Sequence, residues 1–82
     1  MKFRAKIEVS LKPGYSDPEG EAAKLSLTEL HFAVHSVSVS KVYKIELDAE
    51  NLTRVRKTLD EMCKRLLANP VKDDYAFKIE EV

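Results

Sequence analysis

Residues 2–11 alternate without a break: Phe3, Ala5, Ile7, Val9 and Leu11 in one phase, Lys2, Arg4, Lys6, Glu8 and Ser10 in the other. A side-chain period of two belongs to an extended strand. One wholly apolar phase set against one wholly polar phase calls for a sheet with a covered face and an open face. The rest of the chain must therefore supply partner strands and a cover for that single apolar surface.

Lys12-Pro13-Gly14 breaks the strand, and Asp17-Pro18-Glu19 opens a helix. Asp17 can cap free backbone N–H groups, and proline suits the first helical position because its missing N–H has no partner there. Ala22, Ala23, Leu27 and Leu30 predict an apolar side on a helix over 18–30. Alternation returns over 36–47, with Val37, Val39, Tyr43, Ile45 and Leu47 in one phase and Lys41 interrupting it. One bent strand is expected there, a bulge or turn near Ser40 splitting it in two being the other option.

The acidic and polar residues at 48–51 suit a helix start. Leu52, Val55, Leu59, Met62 and Leu66 follow at spacings of three and four, an apolar helical stripe. Asp60 and Lys64, and Glu61 and Arg65, are spaced as favourable i,i+4 pairs on its outer side. Asn69, expected in a left-handed cap, and Pro70 end the helix. Tyr75, Phe77 and Ile79 alternate in a final strand. The order β-α-β-α-β predicts an α+β fold, one small domain over 1–82, with both helices packed on one face of the sheet.

A chain of 82 residues buries little more than half the surface it exposes when unfolded, so oligomerisation is an expected source of stability. Fourteen Lys+Arg balance fourteen Asp+Glu for a net charge of 0. That balance argues against a general nucleic-acid binder, which needs surplus cation to displace phosphate counterions, and against a membrane-surface protein. No apolar run approaches a bilayer span and the first residues begin alternating at once, so a soluble cytoplasmic domain is expected. Cys63 is the single cysteine, which excludes an intrachain disulfide and a cysteine-built zinc site.

No set of residues spells out catalysis. His31 and His35 stand four apart, but beyond the expected helix end and with no third ligand nearby, so they read as loop histidines. Cys63 lies beside the apolar stripe without a histidine base and reads as a small core residue. Lys12-Pro13-Gly14 reads as a tight turn rather than a phosphate loop. Asp17 with Glu19, and Asp73 with Asp74, read as caps and loop solubilisers. Lys2, Arg4 and Lys6 form a basic row, with Glu8 beside them and Asp74, Glu80 and Glu81 near the last strand; a solvated or partner-docking face is expected there. Lys41 stands in an apolar phase, which is costly unless its stem snorkels or its charge finds a partner. A bulge and an interface role are its two readings.

The string Glu61-Met62-Cys63-Lys64-Arg65-Leu66-Leu67-Ala68-Asn69-Pro70-Val71, followed by Asp74-Tyr75 and Ile79-Glu80, resembles the signature of the PurS family. These are the small third subunits of phosphoribosylformylglycinamidine (FGAM) synthase. The front of the chain is similar too, in residues 9–12, Gly14 and Asp17-Pro18-Glu19-Gly20, so the resemblance covers essentially the full length. Two departures stand out. The family often carries glycine just after the first helix, where this chain has His31 or Phe32. Its central strand tends to read Val-Arg-x-Gly-Lys, where this chain reads Val37-Ser38-Val39-Ser40-Lys41 and keeps only the lysine.

The resemblance implies the fourth step of purine biosynthesis, in which formylglycinamide ribonucleotide, ATP and glutamine give formylglycinamidine ribonucleotide, ADP, phosphate and glutamate. It implies a PurQ-type glutaminase partner that releases ammonia and a PurL-type synthetase partner that uses ATP and Mg. The chain itself resembles a homodimeric bridge, or a tetramer in isolation, with no catalytic, cofactor-binding or metal residue of its own. Loops commonly carry recognition. The expected partner-interface residues are therefore Lys12, Gly14, Asp17 and Pro18 in the first turn, Asn69, Pro70, Asp74 and Tyr75 in the second, and Lys41. A free-standing oligomeric α+β module that binds a small metabolite is the alternative function, and a single-strand RNA binder is disfavoured by zero net charge and by having only three Tyr and three Phe.

Overall fold

The computed structural model describes all residues, Met1–Val82. The elements are strand β1 (Lys2–Leu11), helix α1 (Pro18–Glu29), strand β2 (Lys41–Asp48), helix α2 (Leu52–Met62) and strand β3 (Asp73–Glu81), in the expected α+β order. The sheet is antiparallel throughout, in the order β2-β1-β3. The first strand therefore lies in the middle, which explains its two opposed phases. Phe3, Ala5, Ile7 and Val9 are buried, while Lys2, Arg4, Lys6 and Glu8 face solvent.

Helix α2 supplies the cover. Asn51 caps it by accepting the Arg54 N–H at 2.9 Å. Its buried residues are Val55 and Leu59, followed by Cys63 and then Ala68. After Met62 the chain winds into a π-helical turn, Cys63–Leu67, closed by the Ala68 N–H on the Cys63 carbonyl at 2.9 Å. A wider turn carries an extra residue and rotates everything beyond it. Leu66, expected in the buried stripe, is consequently 83% exposed, while Leu67 is half-buried and Ala68 joins the core. The Asp60–Lys64 pair forms at 2.9 Å, but Glu61 and Arg65, across the same turn, make none.

Three further expectations are corrected. The strand expected over 36–47 begins only at Lys41, and it is continuous, with Lys41 opposite Val9 in unbroken register. Residues 36–39 are drawn off the sheet because the Val39 N–H donates to the Asp17 carboxylate at 2.9 Å, and the Ser40 hydroxyl, donating to Glu8 of β1 at 2.9 Å, brings the chain back to it. Asn69 is not left-handed; the non-glycine residue with positive φ is His31, at 71°. There the His31 N–H donates to the Thr28 carbonyl and the Phe32 N–H to the Leu27 carbonyl, both at 3.0 Å. That pair of bonds is a Schellman cap, whose left-handed residue is normally glycine. Replacing His31 with Gly removes a strained Cβ worth about 1 kcal/mol, so amide exchange at His31 and Phe32 should slow roughly threefold to fivefold. Unchanged exchange would mean the cap is not strained.

The third correction concerns α1. Both helices were expected on one sheet face, but only α2 lies there. Gly20 is the sole buried residue of α1, and Leu25 and Leu30 are 62% and 67% exposed. Leu25 projects from the side opposite Ala23 and Leu27, so α1 has no single stripe to lay on the sheet. The result is an elongated molecule, 51 × 27 × 15 Å, with a radius of gyration of 16.2 Å. A compact chain of this length would have about 12 Å.

Candidate functional site

Four segments meet at one end of the sheet. The turn at 12–15 is closed by the Tyr15 N–H on the Lys12 carbonyl at 3.3 Å, with Gly14 at φ 91°. Proline second and a positive-φ glycine third are the pattern of a type II turn. This turn is docked on the loop after α2: the Lys12 N–H donates to the Lys72 carbonyl at 2.8 Å, the Lys12 ammonium to the Pro70 carbonyl at 3.3 Å, and the Tyr15 hydroxyl to the Val71 carbonyl at 3.1 Å. The loop is itself braced by Asn69, whose side chain accepts the Val71 N–H at 2.9 Å and whose N–H donates to Asp73 at 2.8 Å.

Asp17 joins the third and fourth segments. Oδ1 accepts the Gly20 N–H and Oδ2 the Val39 N–H, both at 2.9 Å. One carboxylate thus caps α1 and holds the incoming chain of β2. These two backbone bonds, that from Gly20 foremost, lower the Asp17 pKa below the usual carboxylate value. Gly20 is required by the same junction, because a Cβ built there would lie 2.5 Å from the Val37 carbonyl oxygen and 2.6 Å from Asp17 Oδ2.

Between these segments runs a groove of about 270 Å³. Val9, Leu11 and Leu67 form apolar wall, and Asp17, Lys41, Lys72 and Asp73 bring charge. A neighbouring depression of about 300 Å³ shares Asp17 and is bounded by Lys12, Gly14 and Tyr15. Lys41 is exposed although it shares the phase of Tyr43 and Ile45. It stands at the start of β2, where its charge lines the open groove instead of entering the core.

Of the residues expected at an interface, Lys12, Gly14, Asp17, Pro18, Lys41, Asn69 and Pro70 are gathered at this end. Asp74 is exposed on β3 opposite Ser10. Tyr75 turns under α2, where its hydroxyl donates to Asp60, which also pairs with Lys64. The Tyr75 hydroxyl first, and then Lys64, lower the Asp60 pKa, while the same contact with Asp60 raises that of Tyr75. Tyr75 therefore ties β3 to α2. Sequence reading missed Tyr15, Val39 and Lys72; an aromatic in an otherwise polar turn was the available signal for Tyr15, and the other two carried none. Cys63 is buried, and burial pushes its thiol pKa up. No group of three His, Cys, Asp or Glu side chains is placed to hold a metal ion. No helix is long and apolar enough to cross a membrane.

Comparison with known proteins matches this arrangement over the whole chain. The subunit PurS of phosphoribosylformylglycinamidine synthase from Methanocaldococcus jannaschii is 38% identical over 98% of both chains. That from Bacillus subtilis is 38% identical over 98% of this chain and 95% of its own. The crystal structure of M. jannaschii PurS, one of the subunits of formylglycinamide ribonucleotide amidotransferase in the purine biosynthetic pathway, has a TM-score of 0.87 over 98% of both chains. A chain in the structure of PurLQS from Thermotoga maritima, 27% identical, has a TM-score of 0.89 over 98% of this chain and 99% of its own. Residues 4–81 match the family PurS, described as phosphoribosylformylglycinamidine (FGAM) synthase. Matched by the family over residues 4–81 and by relatives 38% identical along nearly the whole chain, this chain belongs to the PurS family.

Proposed function

We propose that the chain is the small, non-catalytic subunit of FGAM synthase, a glutamine-dependent C–N ligase of purine biosynthesis that acts in the cytoplasm. The observation that carries this reading is the end-to-end match with PurS, including a chain of the PurLQS assembly. A PurQ-type glutaminase releases ammonia, and a PurL-type synthetase uses ATP and Mg to activate the amide oxygen of formylglycinamide ribonucleotide. This chain holds the two together. Ammonia released into neutral water is mostly protonated and no longer nucleophilic, so a short, water-poor transfer raises productive capture.

The reading includes a homodimer. Leu25, Leu30 and Phe32 are 62%, 67% and 58% exposed on and just after a helix that stands off its own sheet. Large apolar side chains left without cover are relieved by a second copy. The end carrying Lys12, Asp17, Lys41, Asn69 and Pro70 offers ammonium groups, carboxylates and an apolar groove to a neighbouring subunit.

Reconstitution tests the function. Synthetase and glutaminase partners are assayed with and without this chain, driven by glutamine or by added ammonium. Glutamine-driven turnover should require the chain, while ammonium-driven turnover should persist without it. Equal turnover from glutamine in its absence overturns the bridging role.

A further inference from the structure

The register of the sheet assembles a charge cluster that is dispersed in the sequence. On the open face, Lys6 in the central strand lies directly opposite Lys44 on β2 and Lys78 on β3. All three are exposed. The next row toward the start of β1 is different: Arg4 stands between Glu46 and Glu80 and pairs with both, at 3.6 and 3.5 Å, while Lys2 pairs with Glu46 at 3.4 Å. The lysine row forms none of the ion pairs of the molecule. Glu8, two residues along the same strand, is engaged by the Ser40 hydroxyl at 2.9 Å.

Like charges directly opposite on neighbouring strands destabilise a sheet. Lysines on edge strands guard against edge-to-edge pairing, but Lys6 is in the centre, where no edge needs guarding. The surface is also not smooth here. Depressions of about 300 and 210 Å³ flank the row, each lined by Lys6 and Lys78, and Val42 and Ala76 give the larger one an apolar side. Strands are spaced by about 4.8 Å, so the three ammonium stems cross the sheet at intervals near the ~5.4 Å pitch of an α-helix.

We propose that the row Lys44–Lys6–Lys78 docks an acidic helix of one of the catalytic subunits, laid across the strands with carboxylates on successive turns of one face. The match rests on charge complementarity and on spacing: residues at i, i+4 and i+7 of such a helix present carboxylates at the intervals of the row. The inference rests on the bridging role proposed above and names a surface for it. A nucleic acid is the less suited occupant, because Glu8, Glu46 and Glu80 surround the lysines and the rows contain no outward aromatic for base stacking.

The test titrates each catalytic subunit with the intact chain and with a triple variant, Lys6→Glu, Lys44→Glu and Lys78→Glu. A second variant, Lys6→Gln alone, removes the central charge with little burden on folding. Binding of one subunit should weaken at least ~10-fold in the triple variant and less in Lys6→Gln, and the wild-type affinity should fall as salt is raised. Unchanged affinity in both variants, with circular dichroism showing them folded, overturns the proposal. If the triple variant does not fold, Lys6→Gln and the salt dependence decide: no change in either overturns it. Salt-dependent capture of single-stranded RNA that the variants lose, with subunit binding intact, also overturns it in favour of a nucleic-acid face. Failure of the wild-type chain to bind either subunit is a different result, which refutes the bridging role itself.

Discussion

Replacing Leu59 with Ala is expected to remove about 2–5 kcal/mol of stability. Leu59 is fully buried, with Val55 and Cys63 beside it in the row that seals α2 onto Phe3, Ala5 and Ile7. The loss combines the transfer of the removed methyl groups with the void they leave in a layer only one helix deep. A domain of this size holds roughly 4–12 kcal/mol in total, so this one change takes a large fraction of it. The melting temperature should fall by roughly 10–30 °C. Leu66→Ala provides the contrast. Both leucines fall in the same three-and-four stripe, yet Leu66 is 83% exposed beyond the π-helical turn, so its truncation should stay within about 0.5 kcal/mol. Equal losses from the two substitutions, measured by denaturant unfolding, would show that the turn does not shift the phase of the helix.

Gly20→Ala should loosen α1 while leaving the sheet intact. Alanine ordinarily gains about 1 kcal/mol over glycine inside a helix. Here the new methyl would meet the Val37 carbonyl oxygen at 2.5 Å and Asp17 Oδ2 at 2.6 Å. One of those is backbone, so relief means moving the 37–39 segment or giving up the cap. Overpacking against backbone costs about 1–3 kcal/mol, and the alternative, giving up the Asp17 cap, frees the Gly20 and Val39 N–H groups, so the helical gain is outweighed. Because α1 does not pack on the sheet, the effect should be local. Amide exchange at Gly20, Glu21 and Val39 should accelerate by ~10-fold or more, with β1 protection unchanged. Acid should lower the protection factors of the same amides, taken against the intrinsic exchange rate at each pH. The folded pKa of Asp17 is depressed, so its contribution is complete above the ordinary carboxylate value of 3.8 and is lost as pH falls through the lower folded value. Slow exchange at Val39 in the variant would show that the junction does not depend on glycine.

Much of this architecture was legible in the residues because it follows from local rules. Alternation over 2–11 placed the apolar phase that α2 covers. Pro13 and Gly14 marked the turn, Asp17 and Pro18 the start of α1, and the polar run 48–51 the start of α2, each through a bond or backbone angle that spans three or four residues. The family likeness of the loop signature and of the 17–20 motif also lay in contiguous strings. Reading along the chain misplaced one strand start because a distant group had intervened. The alternation at 36–39 is genuine, yet those residues leave the sheet because Asp17, far back in the chain, takes the Val39 N–H. A left-handed residue was expected at Asn69, the residue type that best tolerates it, but the cap of α1 imposes that conformation on His31.

Local sequence thus decided where strands, turns and helix starts lie, since period, capping and turn chemistry act over a few neighbouring residues. Tertiary structure alone decided the rest. It set the order β2-β1-β3, which brings Lys6, Lys44 and Lys78 into one row from positions scattered along the chain. It brought the turn at 12–15 onto the loop at 69–72 and turned Tyr75 inward to Asp60. It also left α1 standing away from the sheet. The physical reason is common to all of these: contacts between distant segments depend on register and on the direction each element leaves its neighbour, and neither is written in the pattern of any one segment.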